Sequence, residues 1–181
     1  MDPTILAYIA GFLDGDGSVF FQIVRKTDYC LGFQVRSSIA FYQKTENERI
    51  LLWLKEQLTA GYIRRRKTGI SDYTIVDSRE VRRILELLSP YVRLKSEHVR
   101  LSLEILKQFP LCGDPTKLIL VSRLVDRFQS INYSKKRTVT SVEVAEHLRS
   151  RGFLAPVETD PLRRESPGLT AAKTPVPSVA S

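Results

Sequence analysis

Ile9-Ala10-Gly11-Phe12-Leu13-Asp14-Gly15-Asp16-Gly17-Ser18 reads as the last turns of a helix that ends on a carboxylate at a glycine corner. Upstream, Asp2 and Pro3 supply an N-cap and a first-turn proline. Ala7, Ala10, Gly11 and Asp14 follow at i, i+3, i+4 and i+7, leaving one stripe almost without side-chain bulk. Leu6, Ile9 and Leu13 line another face and are candidate core. A stripe of small residues permits close backbone approach to a second helix. Ala7, Ala10, Gly11 and Asp14 are therefore candidate contacts with a partner helix. Gly15 and Gly17 break the helix and leave Asp16 at its tip. A lone Asp-Gly-Asp-Gly is most often only a turn. The bare stripe before it and the strand after it give this one a sharper meaning.

Downstream, residues 18–42 read as two strands of period two. Val19, Phe21 and Ile23 alternate with polar or mixed positions, as do Phe33, Val35, Ser37, Ile39 and Phe41. One apolar and one mixed face mean a sheet covered on one side only. Thr45 and Glu48 form a capping-box pattern ahead of a helix carrying Ile50, Leu51, Leu54 and Leu58, which Gly61 is expected to end. Two more strands follow at about 62–67 and 71–76, with a turn at Thr68-Gly69. Asp77 and Glu80 introduce a second amphipathic helix with Val81, Ile84, Leu85 and Leu88, stopped at Pro90.

This order predicts an α+β fold: an αββαββα core in which helices back a four-stranded antiparallel sheet. Further helices are expected at about 96–109, from Asp114-Pro115, and after the Thr140–Glu143 capping box. Residues 1–155 read as one domain. From 156 to 181 the chain turns to Pro, Ser, Thr and Ala without periodicity, the composition of a disordered tail.

The chain has 181 residues and carries 28 Lys+Arg against 20 Asp+Glu, a formal net charge of +8, which favours a polyanionic partner. No apolar run approaches the roughly 20 residues that span a bilayer, so no membrane partner is expected. The start, Met1-Asp2-Pro3-Thr4, lacks the basic opening of a secretory signal. Cys30 and Cys112 lack metal-ligand spacing, and two reduced thiols in an intracellular protein are the expectation. His98 and His147 are isolated in the sequence.

The stretch from Ile9 to Gly17 resembles the LAGLIDADG motif of homing endonucleases. The likeness continues through Gln43-Lys44-Thr45, Gly61-Tyr62-Ile63-Arg64, Ser71-Asp72-Tyr73, Pro90–Lys95, Ile131-Asn132 and Ser134–Arg137, so it covers about residues 5 to 150. It implies a site-specific endonuclease that hydrolyses both strands of a long pseudo-palindromic DNA site across the minor groove. The implied cofactor is Mg²⁺ or Mn²⁺, with no small-molecule cofactor. On this resemblance Asp16 is a metal ligand helped by the Gly15 carbonyl, and Gln43 and Lys95 are polar active-site residues. The dimeric relatives usually place an arginine or lysine four residues after the glutamine. Here that position is Asn47, with Lys44 and Arg49 as possible substitutes.

No second acidic helix end follows; Leu118–Asp126 has neither glycine nor paired acids. One motif per chain implies a homodimer, in which pairing across the bare stripe would bring two copies of Asp16 to a two-fold axis. The sheet's open face is the expected platform for double-stranded DNA. By strand phase it carries Gln22, Lys26, Gln34, Arg36, Ser38, Tyr42, Arg64, Arg66, Asp72 and Thr74. Lys135, Lys136 and Arg137 are expected phosphate contacts. The alternative is a DNA-binding relative, or an RNA-splicing maturase, that keeps the scaffold and does not cut. A purely structural RNA-binding protein would explain the charge but not the acid-tipped helix.

Overall fold

The computed structural model describes residues 1–111, 113–132 and 139–155. The candidate phosphate contacts Lys135, Lys136 and Arg137, Cys112 and the 156–181 tail lie outside the described residues. Helix α1 (Pro3–Asp16) leads directly into β1 (Gly17–Arg25) and β2 (Phe33–Lys44). A 3-10 turn (Thr45–Asn47) and α2 (Arg49–Leu58) precede β3 (Tyr62–Arg65) and β4 (Ile70–Ile75). The helices α3 (Ser78–Leu88), α4 (Ser96–Leu106), α5 (Pro115–Ser130) and α6 (Ser141–Ser150) complete the order.

The sheet runs β1-β2-β4-β3 and every neighbour is antiparallel. Alternation sorts its side chains. Val19, Phe21, Ile23, Phe33, Val35, Ile39, Phe41, Tyr73 and Ile75 are buried under the helices. Phe21 meets Phe128 of α5 edge-to-face at 5.2 Å, and Phe41 stacks on Tyr73 at 5.8 Å. The helices contribute Leu6, Ile9 and Leu13, then Leu51, Leu54 and Leu58, then Val81, Ile84, Leu85 and Leu88 to the same core. Helices α5 and α6 join it through Val121, Val125, Phe128, Val144 and Leu148.

Several local expectations need correction. Glu48 does not close a capping box with Thr45, because its carboxylate is taken by the Arg65 guanidinium at 2.7 Å and the Ser71 hydroxyl at 2.7 Å. A charge-assisted bidentate pair outweighs a neutral cap. Helix α2 ends before Gly61: Thr59 is its left-handed C-cap (φ 55°), and Arg83 donates to the Leu58 carbonyl at 2.7 Å. Gly61 also has positive φ and abuts the Thr74 carbonyl, where a Cβ would stand only 2.4 Å away. Strand β3 stops at Arg65 because Arg66 already bonds Ile70 across the turn, and α4 stops at Leu106. At α3 the Asp77 carboxylate caps Arg79 and Glu80, while the Glu80 side chain pairs with Arg83. The capping box at Thr140 and Glu143 is present in full.

Candidate active site and nucleic-acid interface

Helix α1 passes into β1 without a loop. The Gly17 N–H donates to the Leu13 carbonyl and closes the last turn. A Cβ at Gly17 would lie 2.7 Å from Leu13 Cα and Cδ1, so the corner needs glycine for closeness; its φ of −99° is open to any residue. Asp16 is left exposed on the final turn, beside the Gly15 carbonyl, one of the orphan acceptors of a helix end.

Asp14 serves a different purpose. Its Oδ2 accepts the N–H of Arg93 at 2.7 Å and of Leu94 at 3.0 Å, and its Oδ1 accepts the Lys95 N–H at 2.9 Å. Burial works to raise this carboxyl's pKa, but the three backbone donors and the Lys95 charge outweigh it and hold it below the usual aspartate range. Within the chain, Asp14 tethers the approach to α4, a hydrogen-bonding role at the helix end, and its side chain stays half-buried beside the stripe. The Lys95 ammonium in turn donates to the Asp14 carbonyl. That contact places a cation at the negative end of α1, two residues from Asp16.

Gln43 lies at the same end of the sheet, since Gly17 pairs with Phe41 in the β1–β2 register. It is half-buried, shares the phase of Phe41, and its Oε1 accepts the Lys44 N–H at 3.0 Å. Asn47 is exposed on the 3-10 turn. Of its possible substitutes, Lys44 pairs with Glu46 at 3.6 Å, and Arg49 is exposed at the start of α2.

The bare stripe of α1 divides in two. Ala10 is fully buried in the chain's own core, so it is not available to a partner; at about 100° per residue it sits about 60° round the helix from the exposed Ala7 and about 100° from the exposed Gly11. At Gly11 an added Cβ would meet nothing within 4 Å. Beside this stripe, Thr4, Ile5 and Tyr8 of α1 with Ile50 and Trp53 of α2 form an apolar depression, in which Tyr8 meets Trp53 edge-on at 5.5 Å.

A broad groove on the sheet's outer face takes in Gln22, Lys26, Gln34, Arg36, Ser38 and Arg64. Arg36 Nε donates to Gln34 Oε1 at 3.1 Å, and Lys26, one residue beyond β1, pairs with Asp28 at 3.4 Å. The next row across the sheet aligns Tyr42 with Asp72 and Asp72 with Arg64. Asp72 has the outward phase, yet its side chain is only 2% exposed because two arginines cover it. Arg66 Nε donates to Asp72 at 2.6 Å and Arg64 Nε at 3.3 Å, while Thr74 donates to its other oxygen at 3.1 Å. Burial works to raise this carboxyl's pKa; the arginine and threonine hydrogen bonds outweigh it and hold it below the usual range. The Arg66 guanidinium also lies 5.6 Å over the Tyr42 ring. Asp72 is thus an anchor for Arg64 and Arg66, and both grip it through Nε.

Sequence reasoning missed the Glu48–Arg65–Ser71–Thr45 cluster beneath the 3-10 turn, where Ser71 also bonds Thr45 at 3.1 Å. Strand phase held the clue: if Arg64 and Arg66 lie on the outer face, Arg65 between them lies on the helix-backed side, where it reaches the buried Glu48 carboxylate.

Among the described residues no three His, Cys, Asp or Glu side chains gather to hold a metal, and no helix is long and apolar enough to cross a membrane. One chain therefore presents one exposed carboxylate on a small-residue helix, at the end of an open, arginine-bearing sheet. That combination defines a mixed α+β protein with an exposed acidic helix end beside an open sheet face. The chain belongs to the LAGLIDADG endonuclease family, whose model matches residues 9–103. It is 36% identical over 153 residues to DNA endonuclease I-CvuI of Chlorella vulgaris, covering 84% of this chain and 95% of that protein. It is 34% identical over 146 residues to DNA endonuclease I-CreI of Chlamydomonas reinhardtii, covering 80% of this chain and 89% of that protein. The crystal structure of I-CvuI with its target and Ca superposes with a TM-score of 0.80, covering 84% of this chain and 97% of that one.

Proposed function

We propose that this chain is a site-specific DNA endonuclease that acts as a homodimer on a pseudo-palindromic duplex. The observation that carries the reading is Asp16, exposed at the tip of a helix whose Ala7–Gly11 stripe is open to a second copy. Pairing along that stripe sets two Asp16 carboxylates and two Gly15 carbonyls side by side, an oxygen donor set suited to Mg²⁺ or Mn²⁺. A bound divalent ion supplies an acidified water and charge stabilisation for the leaving oxygen. The chain's own groups do the rest. Lys95, held against the end of α1, offsets phosphate charge, and Gln43 orients water from the sheet's end. The outer face enters the major groove, where Gln22, Gln34, Arg36, Arg64 and Arg66 meet base edges. Lys135, Lys136 and Arg137 add phosphate contacts that carry no sequence information.

Asn47 favours a second reading, a non-cutting DNA-binding relative or splicing maturase, because the nearby cation Lys44 is paired with Glu46. One experiment separates them. A site is selected from a randomised duplex library and placed on a plasmid, and the wild type is expected to linearise it in Mg²⁺ and to stop on chelation. Asp16→Asn is expected to bind that site with unchanged affinity and to leave it intact. Tight, specific binding by the wild type without any cleavage in Mg²⁺ or Mn²⁺ would establish the second reading instead.

A further inference from the structure

Apart from Tyr42, which lies under Arg66, three large apolar side chains stand exposed on the otherwise mainly polar outer face. Phe20 on β1 is 45% exposed, Tyr62 on β3 47%, and Val76, one residue past β4, 54%. Register places them around a floor of small residues. Phe20 pairs with Ser38, and the adjoining row runs Ser18, Ala40, Thr74, Tyr62 from one edge strand to the other. Phe20, Tyr62 and Val76 all line the outer groove together with Gln22 and Arg64. Of the four strands, β1 and β3 are the edges, so Phe20 and Tyr62 wall opposite sides of a shallow trough.

Such side chains gain nothing from water there, and grouped exposed apolar surface marks a place where another surface is met. The flanking Gln and Arg select the occupant, a duplex presented groove-first. The major groove displays one apolar group, the C5-methyl of thymine, and aromatic and aliphatic side chains are its ordinary partners. Resting on the DNA-binding reading above, we infer that Phe20, supported by Val76, is a specificity-determining contact for a thymine methyl between the bases read by Gln22 and those read by Arg64.

The test replaces single thymines by deoxyuridine at two-fold-related positions of the selected site and measures binding by fluorescence anisotropy in Ca²⁺. Deoxyuridine keeps every hydrogen bond and removes only the methyl. Wild-type protein is expected to lose about fourfold in affinity per buried methyl at one pair of positions. Phe20→Ser should bind thymine and deoxyuridine versions equally there, and Phe20→Leu should restore the preference. Phe20 is exposed, so neither change threatens the core. Uniform tolerance of deoxyuridine by the wild type, a selected site lacking thymine at those positions, or a preference that survives in both Phe20→Ser and Val76→Ser would overturn the inference. Failure of the wild type to bind any duplex would instead overturn the endonuclease reading.

Discussion

Two acidic side chains show how much depends on their neighbours. The Glu48 carboxyl is pulled from 4.5 to about 2 by the Arg65 guanidinium and the Ser71 hydroxyl. A carboxyl whose folded pKa is depressed stabilises the fold at any pH above its unfolded value, and that support is lost as pH falls toward the folded value. Wild-type urea midpoints should therefore drop between pH 4.5 and about 2, and Glu48→Gln should show a shallower fall over the same window from a lower plateau. A parallel fall in both proteins would mean the pair does not form. On the proposed reading, Asp72 bears on recognition through the two arginines it gathers. In Asp72→Asn the charge that gathers Arg64 and Arg66 is gone, so both guanidinia gain freedom. Total affinity should hold or rise at low salt, while base discrimination at their positions drops by up to about tenfold. Library profiling measures both at once. An unchanged preferred sequence would show that the arginines hold their places without the carboxylate.

At the scale of elements, the order of helices and strands was legible because each amphipathic period is long and uninterrupted. Val19 to Ile23 alternates in burial, Phe33 to Phe41 does so except at the buried Ala40, and α3 keeps Val81, Ile84, Leu85 and Leu88 on one face. What could not be read were the choices made by tertiary partners. Glu48 left its cap for an arginine seventeen residues away in sequence, and Ala10 turned inward although its spacing matches the exposed Ala7 and Gly11. The exposed position of Asp16 could be picked out because the bare stripe before it and the two glycines around it mark a helix end. The roles of Asp14 and Asp72 depend on chain segments about 80 and 6 residues distant, which spacing alone does not reveal. The α1–β1 junction offers a direct check. Gly17→Ala forces a methyl against the Leu13 backbone and should destabilise the protein by about 1–3 kcal/mol. Gly15→Ala, with nothing within 4 Å, should cost much less in the same chemical denaturation series.

For the whole molecule, the open stripe of α1 makes a separable prediction about assembly. Because nothing in the chain lies near a Cβ at Gly11, Gly11→Leu should leave the single chain folded, with a native circular dichroism spectrum. It should shift sedimentation from dimer to monomer and remove cleavage. A variant that sediments as a monomer yet linearises plasmid would disprove pairing through this helix. Tyr8 and Trp53, beside the stripe, extend the same surface and should show reduced solvent quenching in the wild-type dimer.

On the proposed reading, an exposed acid on one helix end, with no metal-holding cluster of His, Cys, Asp or Glu among the described residues, also governs how activity responds to supply. Each copy then carries half of what the proposed reaction needs. Below the dissociation constant of the pair, the population able to cut rises with the square of the amount made, and a halved dose leaves a quarter of the activity. On the proposed reading, a DNA endonuclease assembled this way is nearly silent at trace expression, a threshold set by the helix rather than by a separate inhibitor.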